Sequence, residues 1–296
     1  TVNGTNFVNG AAVSFNGAAR TTTFVSATQL TATILAADIT ISGNYPITVL
    51  NPAPGGGVSN AANLAVNPSI TTISPATVRA GDLGFSLTVN GTGFVSTSVV
   101  RFNGNNRTTT FVNATQLTAA ITAADETVAG IFPITVSNPA PGGGVSNSSD
   151  LTVNNPAPTL TTLSPTTKIA GDVAFTLTVN GTNFNSSSVV RFGGADRVTT
   201  FVSATQLTAQ LTAADVQAAG TFPITVFNPT PGGGTSNATI LTVNNPVPTL
   251  STISPNSIPE GSTAFALTVN GTGFVNGSVV QWNGQSRSTT FVSGTQ

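Results

Sequence analysis

The chain repeats itself. The string Val-Asn-Gly-Thr places its Asn at Asn3, Asn90, Asn180 and Asn270, at spacings of 87, 90 and 90 residues. Ser-Pro recurs at Ser74-Pro75, Ser164-Pro165 and Ser254-Pro255. Pro-Ala-Pro-Gly-Gly-Gly begins at Pro52 and Pro139, and Pro-Thr-Pro-Gly-Gly-Gly at Pro229. Self-similarity at a fixed period means one structural unit used several times, so whatever a single repeat folds into decides the whole chain.

The shorter first spacing can be localised. Leu64 and Leu151 keep the short spacing while Ile70 and Leu160 have the long one, so the three missing residues belong to the first linker. That linker reads Asn67-Pro68-Ser69. The later ones read Asn154-Asn155-Pro156-Ala157-Pro158-Thr159 and Asn244-Asn245-Pro246-Val247-Pro248-Thr249. Such Pro-rich junctions favour extended, semi-rigid backbone, so the repeats are expected end to end in an extended array. With strands of about 8 residues, the rise is roughly 30–40 Å per repeat, and the first pair should sit closest. The expected boundaries are 1–67, a partial repeat lacking its first strand; 68–155 and 156–245, complete repeats; and 246–296, a partial repeat lacking its last strands. The chain then reads as a window of a longer array, or as a subunit whose open ends neighbours complete.

Each repeat reads as all-β. Phe85, Leu87 and Val89 alternate with Ser86 and Thr88, the period-2 signature of a half-buried strand. Ile70–Ile73, Val99–Phe102, Thr108–Val112, Leu117–Ile121, Phe132–Val136 and Leu151–Val153 complete seven strand candidates. Asn-Gly pairs and the Pro/Gly-rich stretch separate them, and Ala123-Ala124-Asp125 suggests one helical turn at a sheet corner. Seven short strands in about 90–100 residues predict an immunoglobulin-like β-sandwich. Hydrophobic residues make up 39% of the chain, too many for a disordered one.

Composition removes whole classes of chemistry. There is no His, Cys or Met, which excludes His-dependent triads, Cys nucleophiles, disulfides, and His/Cys zinc, haem or iron–sulfur ligation. With 8 Lys+Arg against 9 Asp+Glu, no basic patch is available for phosphates, so nucleic acid is not an expected partner. No apolar run is long enough to span a membrane, and no signal peptide or start Met is evident. A Thr/Ser/Asn surface with only 6% charged residues suits an extracellular or cell-surface setting.

The ordered motifs carry a family resemblance. Ser-Pro near the start is followed by Leu-Thr-Val-Asn-Gly-Thr-x-Phe, Val-Val-x-Phe-x-Gly and Thr-Thr-x-Phe-Val. Tyr/Phe-Pro-Ile-Thr-Val and a Gly-rich turn close the repeat. This pattern resembles the bacterial IPT/TIG repeats, Ig-like domains also found in plexins and some transcription factors. The resemblance covers the whole chain and implies a β-sandwich. It leaves function open, because the family includes spacers, adhesin stalks, enzyme accessories and DNA-binding modules.

Candidate functional residues are few. The aromatics form columns (Phe7/94/184/274, Phe15/102/192/Trp282, Phe24/111/201/291, Tyr45/Phe132/222 and Phe85/175/265), and recurrence in every repeat marks them as core. Phe227 alone stands outside. Arg20, Arg107, Arg197 and Arg287 form one charged column, and Asp38, Asp125 and Asp215 another. They read as exposed strand-end Arg and turn-capping Asp. One Asp per repeat cannot make a calcium site, Asp125-Glu126 is weak support for acid/base work, and Gly55–57, Gly142–144 and Gly232–234 lack the phosphate-loop ending and read as hairpin turns. Asn-x-Ser/Thr sequons are abundant; the recurrent Asn3, Asn90, Asn180 and Asn270 are candidate glycosylation sites, though they could simply mark a turn. No catalytic, cofactor or metal residues emerge. The expected role is structural: a stalk, spacer or filament block whose partners are copies of itself, adjacent repeats, or glycans. The alternative is an adhesin or enzyme-accessory module gripping polysaccharide, with Phe227 and Trp282 as its only distinctive aromatics.

Overall fold

The computed structural model describes residues 1–140 and 143–296. Pro141 and Gly142, part of the second Gly-rich stretch, lie outside the described residues. The chain forms two contact units, residues 1–155 and 156–296.

In residues 68–155, Phe85–Thr92 alternates as read and buries Leu87 and Val89. It pairs antiparallel with Gln116–Ile121 on one side and Ser69–Ser74 on the other, and Thr109–Asn113 forms the edge beyond Gln116–Ile121. The opposing sheet runs Thr77–Arg79, Ser149–Asn154, Gly130–Asn138, Val99–Phe102, Asn105–Asn106. Leu87, Val89, Val100, Leu117, Ile134 and Leu151 are fully buried between the sheets, each contributing about 1.5–3 kcal/mol of transfer free energy. The sandwich is therefore as expected. The three-residue strand Thr77–Arg79 was not: after the cis Ser74–Pro75 bond the chain leaves one sheet and runs parallel to Ser149–Asn154 in the other.

The Asn-Gly pairs divide into two kinds. Asn103-Gly104, at φ 46° and 80°, makes the two-residue turn between Val99–Phe102 and Asn105–Asn106. Asn90-Gly91 is no turn. It lies within Phe85–Thr92, at a bulge opposite Ser69–Thr72. A Cβ at Gly91 would collide with the Ser69 carbonyl and the Phe94 ring, so the Gly of the recurrent string admits close backbone approach. The helical turn appears as a 3-10 turn, Ala123–Glu126.

Residues 1–66 repeat this plan with a three-stranded first sheet of Val2–Asn3, Gln29–Ala32 and Thr22–Ser26. Their second sheet is built on Ala12–Phe15 and Gly43–Asn51. In the second unit, residues 156–245 reproduce the registers of 68–155, with Phe175–Thr182 between Gln206–Leu211 and Thr159–Ser164. Residues 246–296 contribute the pair Thr249–Ser254 with Thr268–Thr272 and the hairpin Gln281–Trp282 with Gln285–Ser286.

Candidate functional site: the Arg–Asp clasp and the repeat junction

The two charged columns meet. Arg107 Nε donates to Asp125 Oδ2 at 2.9 Å while its Nη2 holds Oδ1, a bidentate ion pair. Arg20–Asp38 and Arg197–Asp215 are identical in arrangement. The Asp does cap its 3-10 turn: Thr122 donates N–H and Oγ–H to Asp125 Oδ2, both at 2.9 Å. In these three repeats the Arg, however, is no exposed strand end, whereas Arg287 is exposed as expected. Side-chain exposure is 16% for Arg107 and 11% for Asp125, and the guanidinium lies 5.2 Å over the Phe102 ring, which packs 5.0 Å from Phe132. The repeat thus builds a stack of Asp, Arg and two aromatics, seen again with Phe15/Tyr45 and Phe192/Phe222. Burial pushes the Asp125 and Asp215 carboxyls up, but the bonds from Arg107 or Arg197 and from the turn outweigh it, leaving both below the ordinary value. For Asp38 the Arg20 bond dominates, with the same net direction.

A second network, not read from sequence, sits at one end of each sandwich. Asn138 and Asn228 are buried, and their Oδ1 atoms accept from Ser98 Oγ and Ser188 Oγ at 2.5 and 2.6 Å. Asn228 Nδ2 donates to Asn183 O at 2.7 Å and to the linker carbonyl of Pro156 at 2.9 Å, and Asn183 Nδ2 bonds Ala157 O. In residues 68–155 the shorter linker offers no such carbonyl. There Asn138 Nδ2 donates to Gly93 O at 2.9 Å and to Ser42 Oγ, a residue of the preceding repeat, at 2.7 Å; Ser42 Oγ in turn donates to Gly93 O at 2.6 Å. The counterparts of Ser42 are Ala129 and Ala219, so its hydroxyl appears in the repeat that precedes the short linker. Asn67 of that linker lies against Gly144, where a Cβ would collide with its side chain. In residues 1–66 Ala11 replaces the Ser, and Asn51 Oδ1 is left buried without a partner among the described residues.

The remaining candidates fall into place individually. The recurrent Asn residues tie strands together: Asn90 donates to Thr72 Oγ1 at 3.2 Å and accepts from Gln116 Nε2 at 2.9 Å, and Asn180 and Asn270 do likewise. Asn3 accepts from Gln29. Of the aromatic columns, Phe94, Phe102, Phe184 and Phe192 are core as expected. The column Phe24, Phe111, Phe201 and Phe291 is not core: these residues are 36%, 37%, 41% and 38% exposed, the first three because they ride an edge strand and Phe291 in a segment that forms no strand. Trp282 is 52% exposed, whereas its counterpart Phe192 is buried under Phe222, a strand position that residues 246–296 do not include. Phe227 faces outward and carries Arg191 4.1 Å over its ring, with Arg191 Nε held by Asp196. Glu126 is fully buried with neither carboxylate oxygen bonded among the described residues, and burial, with Asp82 and Asp125 nearby, raises its carboxyl above the ordinary range. No three His, Cys, Asp or Glu converge as metal ligands would, and no helix is long and apolar enough to cross a membrane, among the described residues.

Comparison with curated protein sequences gives no match. Among solved structures, the chain is similar to the Yersinia pseudotuberculosis adhesin InvE at 20% identity, with 60% of this chain and 59% of that one covered and a TM-score of 0.42. It is similar to the plexin A4 extracellular region at 17% identity, covering 88% of this chain but 28% of that one, with a TM-score of 0.29. SGBP-B of a Bacteroides ovatus mixed-linkage glucan utilisation locus, in complex with a mixed-linkage heptasaccharide, matches at 18% identity over 85% of this chain and 66% of that one, with a TM-score of 0.24. The chain thus spans less than two thirds of the length of the first two. The family model "IPT/TIG domain" matches residues 1–66, 68–153 and 158–243, most of the sequence, each match holding its own Arg–Asp clasp. The chain belongs to the IPT/TIG domain family.

Proposed function

We propose that the chain is a structural segment of an extracellular or cell-surface array, a stalk, spacer or filament block, and not an enzyme. The observation that carries the reading is the junction before residue 68. There a three-residue-shorter linker coincides with a serine that hydrogen-bonds directly into the next repeat. A length-setting element needs successive domains that hold one another in this way, and the ordinary partners of such a segment are neighbouring repeats or further copies. Excising residues 156–245 from the native gene tests it. The surface structure seen by electron microscopy should shorten by about one repeat, roughly 30–40 Å, and remain assembled. An unchanged length with loss of a ligand-dependent activity would overturn it.

The second reading, a polysaccharide-gripping module, has one observation in its favour. On the outer face of one sheet, residues 156–245 carry Phe227 with Arg191 and Asp196, where residues 68–155 have Ser137, Arg101 and Asn106. Affinity electrophoresis in polysaccharide gels would show Phe227→Ser losing its retardation if that reading holds, and no retardation of either protein if it fails. Glycans on Asn3, Asn90, Asn180 or Asn270 would have to be attached before the sheets close, since those side chains bond across strands.

A further inference from the structure

The sequons of this chain differ in what the fold does with their carboxamides. Asn147 is consumed: its Oδ1 accepts from Ile70 N and Ser69 Oγ and its Nδ2 donates to Ile70 O, and Asn237 binds Leu160 in the same way. Asn106 turns its Oδ1 to Arg101 Nε. Asn185 Oδ1 accepts the Ser187 N–H at 2.8 Å, and Asn113-Ala114-Thr115 makes the same turn with the Thr115 hydroxyl added. The Asn113 turn forms the exposed tip between Thr109–Asn113 and Gln116–Ile121. Asn113 Oδ1 accepts both the backbone N–H and the hydroxyl of Thr115, each at 2.8 Å. Its Nδ2 has no partner among the described residues. At the same tip, Ser26, Ser203 and Ser293 close the turn with Oγ alone, accepting from Thr28, Thr205 and Thr295 N–H at 3.2 Å. A carboxamide is therefore not needed to build the hairpin.

We propose that Asn113 is an N-glycan acceptor presented by the folded repeat. Two donors on Oδ1 hold the carboxamide in one conformation, and the free Nδ2 faces water. In the transfer, Nδ2 bonds to the anomeric carbon of a sugar carried on a lipid pyrophosphate. The bond from that carbon to the phosphate oxygen breaks, the pyrophosphate leaves with the electron pair, and the Nδ2 proton passes to a base of the transferase. Phe111, two positions earlier on the same edge strand and 37% exposed, offers the first sugar an apolar ring, and Val112 beside it is exposed as well. A glycan here would cover apolar edge surface that the repeat otherwise leaves open to water. The native occurrence of such a glycan rests on the extracellular reading above; the acceptor property of the folded hairpin does not.

The test is in vitro transfer to the folded full-length chain, using a single-subunit oligosaccharyltransferase that reads Asn-x-Ser/Thr and a lipid-pyrophosphate oligosaccharide, with sites mapped by peptide mass spectrometry. The expected result is a glycan mass at Asn113 in the folded chain. It should be lost in Asn113→Ser, which installs the residue of the neighbouring repeats and so preserves the hairpin. It should also be lost in Thr115→Ala and restored in Thr115→Ser, with occupancy lowered in Phe111→Ala. Asn90 and Asn180 should take sugar only after denaturation. Modification of Asn113 only in denatured chain, or folded-state modification of Asn90 at the same level, would overturn the proposal. Failure of the extracellular reading would appear separately, as native material without glycan from a chain that is still a folded acceptor in vitro.

Discussion

Residues 68–155 and 156–245 are two castings of one sandwich. Phe85–Thr92 and Phe175–Thr182 take the same register against their neighbours, bulge at the same Asn-Gly step, and carry the same Arg–Asp clasp over the same pair of phenylalanines. Many other positions differ without moving a strand, and a handful of them change the chemistry of one repeat. Glu126 stands where Val216 does, Asn113 where Ser203 does, Ser137 where Phe227 does, and Ser42 of the preceding repeat replaces the Pro156 carbonyl. Features held constant between the castings are those the fold requires. Features that change without disturbing a register are free to carry something specific to one repeat.

The clasp should be the largest shared term. Asp125→Ala leaves Arg107 mostly buried and unpaired, and should destabilise residues 68–155 by about 3 kcal/mol, with Asp215→Ala doing the same to 156–245. Denaturant unfolding followed by hydrogen exchange in each repeat reads both; a loss in one repeat only would break the equivalence. Because the folded-state carboxyls of Asp125 and Asp215 lie below their unfolded value of 3.8, this contribution is present above that pH and is lost as pH falls through the folded-state value.

Glu126 separates the two repeats with the opposite sign. Its folded-state carboxyl lies above the unfolded value of 4.5, so the neutral acid suits the fold. Stability of 68–155 should therefore fall as pH rises from 4.5 through the folded-state value, where 156–245 shows no such fall. Glu126→Val should abolish the fall and, at neutral pH, stabilise 68–155 by about 2 kcal/mol. An unchanged pH profile in the variant would show that the carboxyl is not buried in solution.

The Asn–Ser network gives smaller effects. Ser98→Ala strands the buried Asn138 Oδ1 and should cost about 2 kcal/mol, and Ser188→Ala should cost the same in its own repeat. The natural counterpart already exists: Ala11 leaves Asn51 Oδ1 unpartnered, so Ala11→Ser should stabilise residues 1–66 by about 1 kcal/mol. Thermal unfolding of the full chain with repeat-resolved exchange would detect either.

What was legible in the sequence was what has a period. Phe85, Leu87 and Val89 announced a strand, and Asn103-Gly104 a turn, because each signal is local. Thr77–Arg79 was not legible, since three residues carry no alternation and their pairing depends on Ser149–Asn154, 70 residues or more away. The Arg and Asp columns were both visible, but not their meeting, because an 18-residue separation says nothing about distance in space. Phe111 read as core because it recurs, yet recurrence marks a shared position and an edge strand is shared too. Glu126, the Asn138–Ser98 pair and Ser42 went unread; for Ser42 the signal was available, as the residue departs from Ala129 and Ala219 in the repeat whose linker is short.

That junction is the account's central claim, and residual dipolar couplings on the full-length, segmentally labelled chain test it most directly. Residues 1–66 and 68–155 should report one shared alignment tensor in the native sequence. They should report two in a variant that combines Ser42→Ala with Asn-Pro-Ala inserted after Asn67, which restores the longer linker and removes the hydroxyl. Two tensors already in the native chain, or one retained in the variant, would contradict it.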